Sequence, residues 1–81
     1  VRIHLLFFAS AYDLAGVREA TAELAAGART GAVRTHLKSL DPRFADWGDR
    51  MRFAVNREYV LEDQVLHDGD EVAVIPPVSG G

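Results

Sequence analysis

The stretch Gly69-Asp70-Glu71-Val72-Ala73-Val74-Ile75-Pro76-Pro77-Val78-Ser79-Gly80-Gly81 runs from a turn through a strand to a double proline and a glycine pair. His67-Asp68-Gly69-Asp70 is a strong turn signal. Glu71 to Ile75, between that turn and the prolines, reads as the last strand. Pro76 and Pro77 end it, because neither can donate to a ladder. The glycines beyond them have no side chain with which to anchor a fold. They suit a chain end that threads a narrow site, because no Cβ blocks approach and φ is free. The group presented there is the main-chain carboxylate of Gly81. A frayed terminus is the bland alternative, but the two prolines stiffen the approach to the end.

Working backwards, Arg52 to Asn56 alternates around Phe53 and Val55 and predicts a strand. Asn56-Arg57-Glu58 is a tight turn into a short extended piece at Tyr59-Val60. Thr30 is a plausible N-cap for a helix ending near Leu40, with Val33, Leu37 and Leu40 on one face. Asp41-Pro42 stops it. Arg43 to Arg50 is expected to be a loop holding Phe44 and Trp47. Val1 to Ala9 is a strand whose run Leu5-Leu6-Phe7-Phe8, apolar on both faces, fits an interior position. Ser10 to Gly16 is expected to be a connection, and Arg18 to Leu24 an antiparallel, half-exposed partner strand. The order is strand, strand, helix, strand, short strand, strand. This predicts an α+β domain in which one main helix covers one face of a mixed sheet. The domain is expected over residues 1–75, with a flexible Gly-Gly tail extended over 76–81.

Composition narrows the functions. Eighty-one residues make one small domain with a modest core and little room for a deep internal cleft. With 48% apolar and 26% charged residues the chain fits an ordinary soluble protein, and a net charge of −3 gives no electrostatic reason to expect nucleic acid. No run is long enough to span a bilayer and no signal peptide is evident, so no membrane partner is expected and the cytoplasm is the expected location. The absence of cysteine excludes disulfides, thiolate metal sites and a cysteine nucleophile. His4, His36 and His67 are too scattered for a metal motif, so no metal is expected. Gly27 and Gly31 make no phosphate loop, and Ser10, Ser39 and Ser79 show no triad pattern. Glu58 to Glu71 carries six acids and no Lys or Arg. It is either a docking face for a basic partner or, more commonly for such a run, a solvated surface.

The strand order, with Gly69-Asp70-Glu71-Val72 and the ending Ile75-Pro76-Pro77-Val78-Ser79-Gly80-Gly81, resembles the MoaD family, the small subunits of molybdopterin synthase. These are ubiquitin-like β-grasp sulfur carriers. Leu6-Phe7-Phe8-Ala9, Leu14-Ala15-Gly16 and Phe53-Ala54-Val55-Asn56 match other parts of the family pattern, so the resemblance covers the whole chain. It departs from the pattern at Ser10 to Asp13, where the family often has an Arg-Glu pair.

The resemblance implies a mechanism. An adenylating partner of the ubiquitin-activating type (MoeB-like) uses ATP to activate the Gly81 carboxylate, and sulfur then gives a thiocarboxylate. A large synthase subunit (MoaE-like) receives the tail and makes the dithiolene of molybdopterin. Ile75, Pro76, Pro77, Val78, Ser79 and Gly80 would contact the partner, and this chain would bind no cofactor itself. Three alternatives share the sequence features: a carrier for thiamine synthesis or tRNA thiolation, a ubiquitin-like protein modifier, and a β-grasp binding module with an inert tail.

Overall fold

The computed structural model describes residues 1–60 and 63–77. Five strands form one sheet: β1 (Arg2–Phe7), β2 (Glu19–Glu23), β3 (Arg52–Val55), β4 (Glu58–Val60) and β5 (Glu71–Ile75). Their order across the sheet is β2-β1-β5-β3-β4. The first and last strands of the chain lie side by side and parallel, with Phe7 opposite Val74, and every other pairing is antiparallel. The sheet is therefore mixed, and β1 is interior as its apolar run predicted. Helix α1 (Ala9–Ala15) follows β1, and the main helix α2 (Thr30–Leu40) follows β2.

Period-2 alternation puts Ile3, Leu5 and Phe7 of β1, Phe53 and Val55 of β3, and Val72 and Val74 of β5 on one face. All are buried. Val33 and Leu37 of α2 complete this core together with Phe44, Met51 and Leu66. Arg34 ties the helix to the sheet. Its Nη2 donates to the Met51 carbonyl at 2.7 Å, and its guanidinium lies 5.0 Å from the centroid of the Phe53 ring.

The structure corrects five local expectations. Ser10 to Gly16 is not a plain connection, because Ala9–Ala15 is helical. Buried Ala11 anchors this short helix, and Gly16, at φ +78°, ends it by donating its N–H to the Tyr12 carbonyl. Seven residues are too few to show a helical period. Second, Thr30 is the first residue of α2 rather than its cap. Its hydroxyl instead donates to Asp63 Oδ1 at 2.8 Å, and the Gly31 N–H donates to the same oxygen at 2.7 Å. The capping carboxylate therefore comes from 32 residues away, where no local pattern could reveal it.

Third, Leu40 does not share the buried face of Val33 and Leu37 and is 59% exposed. Fourth, Pro42–Asp46 and Gly48–Arg50 form two 3-10 turns in place of a loop. Phe44 anchors the first, buried edge-on against Trp47 with centroids 5.4 Å apart. Fifth, Phe8 lies just beyond β1 and is 53% exposed, so the apolar run is buried on one face only.

Candidate tail root and docking face

The sheet face away from α2 carries the alternate strand residues that lie outside the buried core. Register places Leu6 beside Ala73, Ala73 beside Ala54, and Ala54 beside Tyr59, a row crossing four strands. Small Ala73 and Ala54 make low ground between Leu6 and Tyr59, which is 55% exposed. At the next step along the strands, Ile75 pairs with Arg52, and Phe8 follows Phe7 on the neighbouring strand. Apart from Arg52 these residues are apolar, and Phe8 and Tyr59 are two of the exposed large hydrophobic residues.

The chain leaves the sheet from the edge of this surface. Ile75 is the last residue of β5, and Pro76 and Pro77 follow it half-buried and outside any strand. Ile75, Pro76 and Pro77 thus root the tail beside Phe8 and Arg52. Val78, Ser79, Gly80 and Gly81 lie outside the described residues. The sequence reading did not single out Leu6, Phe8, Ala54, Tyr59 and Ala73. A signal was available in Leu6 of β1 and Phe8 just beyond it, two apolar residues outside the buried core.

Three acids of the acidic block, Asp63, Asp68 and Asp70, hold local structure of the fold. The turn before β5 sits at the end of the sheet opposite the tail. There Asp70 accepts the His67 N–H at 2.8 Å and the Asn56 side-chain amide at 2.9 Å, which together hold its carboxyl below the usual range. Asp68 accepts the Arg2 N–H at 2.7 Å. Asp63 accepts from Gly31 and Thr30, and its carboxyl is lowered for that reason. Reversing Asp63 to test docking would also uncap α2. Among the described residues, no group of three or more His, Cys, Asp or Glu side chains converges on a common point. His4 is exposed on β1, and His36 is half-buried on α2. No helix among the described residues is long and apolar enough to cross a membrane.

The geometry thus sets a partly apolar sheet face beside the end of β5 and the two prolines. Comparison with known proteins gives this arrangement its family. Residues 5–81 match the model of the ThiS family. A molybdopterin synthase sulfur carrier subunit of Chlamydomonas reinhardtii is 41% identical over the whole of both chains. The Homo sapiens protein of the same name is 39% identical over 99% of this chain and 94% of its own length. Among solved structures, a putative molybdopterin converting factor subunit 1 from Pyrococcus furiosus superposes with a TM-score of 0.84 at 35% identity, covering 96% of this chain and 99% of that one. SAMP1 from Haloferax volcanii gives 0.82 at 26% identity over the whole of both chains. The chain belongs to the ThiS family and, within it, to the MoaD-type small subunits of molybdopterin synthase with their ubiquitin-like β-grasp fold.

Proposed function

We propose that this chain carries sulfur for molybdopterin synthesis as a thiocarboxylate on Gly81. The observation that carries the reading is its full-length similarity, at 39–41% identity, to proteins named molybdopterin synthase sulfur carrier subunits. The chemistry fits a chain without cysteine. A carboxylate is a poor electrophile, so a partner spends ATP to convert it to an acyl-adenylate, releasing pyrophosphate. Sulfide-level sulfur attacks the acyl carbon and AMP leaves, which exchanges one oxygen for sulfur. The resulting thiocarboxylate is anionic and nucleophilic at neutral pH. A large synthase subunit takes it up and transfers the sulfur to cyclic pyranopterin monophosphate to build the dithiolene.

The geometry supports a division of labour between body and tail. The body docks through Leu6, Phe8, Ala54, Tyr59 and Ala73. The tail, rooted at Ile75, Pro76 and Pro77, enters the partner through Val78, Ser79 and Gly80. Six extended residues reach roughly 20 Å, enough to cross a partner's surface layer. The prolines reduce the ordering entropy lost on insertion.

The test is intact-mass spectrometry after incubation with the adenylating enzyme, ATP and a sulfur donor. The expected product is this chain with one oxygen replaced by sulfur, able to convert the precursor when the large subunit is added. An unchanged mass, with an enzyme that thiolates a known carrier, would overturn the reading. Isopeptide adducts to lysines in place of the thiocarboxylate would make the chain a protein modifier.

A further inference from the structure

Two arginines straddle the tail root. Arg52 is exposed and stands directly opposite Ile75 across the β3–β5 ladder. Arg18 lies on the other side, where its carbonyl accepts the Phe7 N–H at 2.9 Å, one strand beyond the neighbour of β5. With strands about 4.8 Å apart, their Cα atoms are separated by about 14 Å, with the chain's exit between them. The ion pairs among the described residues join Arg2 to Glu23, Arg43 to Asp41, Arg57 to Glu71 and His67 to Asp70. Neither Arg18 nor Arg52 takes part in one.

Arg18 is nevertheless held in place. Its guanidinium lies 5.1 Å from the centroid of the Tyr12 ring, a stacking that fixes the plane without using the N–H donors. It borders two shallow hollows, of about 290 and 220 Å³, that share Phe7 and Phe8 as walls. Asp13 lines one hollow and Glu19 the other, yet neither is paired with Arg18.

We propose that Arg18 and Arg52 are paired anchors for carboxylates on the surface of the partner that takes up the tail, so that the partner presents an acidic rim on both sides of the tail's opening. This rests on the carrier reading above and adds the sign and position of the partner's charges. It reverses the expectation of a basic partner drawn from the acidic block, because Asp68 and Asp70 of that block serve the turn before β5 at the far end of the sheet and Asp63 serves the start of α2. The physical value of two anchors is orientation. An apolar face alone tolerates rotation of the docked body. Two arginine–carboxylate pairs on opposite sides of the exit fix the rotation and so the direction in which the tail points.

The experiment measures association of the full chain with the large synthase subunit from the same source by stopped flow across a salt series. The variants are Arg18→Glu, Arg52→Glu, the double reversal, and Arg57→Glu at the opposite end of the sheet. The expected result is an association rate lowered about tenfold or more in the double variant at low salt, with the gap narrowing as salt rises. Arg57→Glu, which makes the same net-charge change as either single reversal, should stay within about twofold of the unaltered chain. Thermal unfolding of each variant separates docking from folding. Rates unchanged by the double reversal, or an equal slowing by Arg57→Glu, would overturn the inference and leave the carrier reading intact. Failure of the unaltered chain to bind the large subunit would sink both.

Discussion

At the scale of single residues, one carboxylate closes the fold over a long sequence distance. Asp63 takes two hydrogen bonds from the first turn of α2, at 2.8 and 2.7 Å. The N-terminal end of a helix favours negative charge and leaves its first N–H groups unpaired. Asp63 answers both needs, and the Gly31 N–H, followed by the Thr30 hydroxyl, holds its carboxyl below the usual range. Asp63→Ala should lower the melting temperature by roughly 5 °C, in the range seen for lost helix caps in small domains. The sign of the pH effect follows from the direction of the shift. A depressed folded value means that the unfolded chain binds the proton first as pH falls. The stabilisation is therefore complete above the ordinary carboxylate value, near pH 4, and is lost as pH drops through the folded value. Asp70 and Asp41 are lowered too, by the His67 N–H and by the Arg43 side chain respectively, and act in the same direction. Melting temperatures measured from pH 6 to pH 2 should fall steeply below about pH 4, and less steeply in Asp63→Ala. Equal acid slopes for the two proteins would remove Asp63 from this account.

At the scale of elements, the β3–β4 hairpin shows how a turn can be right in outline and strained in detail. Asn56 and Arg57 both have positive φ, +51° and +71°, the pattern of a two-residue type I′ turn. Asn56 suits that region, and its side chain also joins the turn to β5, accepting the Glu71 N–H at 3.0 Å and donating to Asp70 at 2.9 Å. Arg57 does not suit it, and its ion pair with Glu71 is a long contact of 4.0 Å from a side chain 91% exposed. Arg57→Gly should therefore raise stability by about 0.5 kcal/mol, the left-handed strain relieved outweighing the extra freedom of the unfolded chain. Calorimetry or denaturant unfolding would show it, and a lowered midpoint would mean that the exposed ion pair matters more than the turn.

The same elements show what the sequence made legible. Apolar runs, alternation and turn residues were enough for all five strands, since each of these signals is local. Helix α1 was not legible, because its seven residues are held by the burial of Ala11 and the left-handed Gly16, neither of which makes a periodic signal. Leu40 looked like a core residue because it falls at i+7 from Val33, but α2 ends there and leaves it in water. The terminal motif is contiguous in sequence, and of it the structure describes only Ile75, Pro76 and Pro77. The docking face was not legible, because Leu6, Ala54, Ala73 and Tyr59 come from four strands and meet only through the register of the sheet.

At the scale of the whole molecule, the buried core and the proposed sulfur chemistry occupy different parts of the chain. Among the described residues every buried hydrophobic side chain lies between Ile3 and Val74. The sheet's own hydrogen bonds end at Ile75, and Pro76 and Pro77 bring no N–H to extend them. The proposed chemistry begins where that architecture stops. Removing Gly80 and Gly81 should therefore leave the melting temperature within about 2 °C, as expected for a change that removes no core contact. It should abolish thiocarboxylate transfer, because the shortened tail ends about 7 Å earlier and the terminal carboxylate no longer reaches the partner's reacting groups. Gly81→Ala is the finer probe. It keeps the chain length and a terminal carboxylate, and adds one Cβ where the partner is expected to leave room only for glycine. Binding through the sheet face should persist with both variants while thiocarboxylate formation or transfer falls sharply. Stability, binding and transfer measured on the same preparations separate the outcomes. Loss of all three would show that the terminus supports the fold. Full transfer with both variants would show that neither the Gly-Gly end nor its length is needed for sulfur transfer.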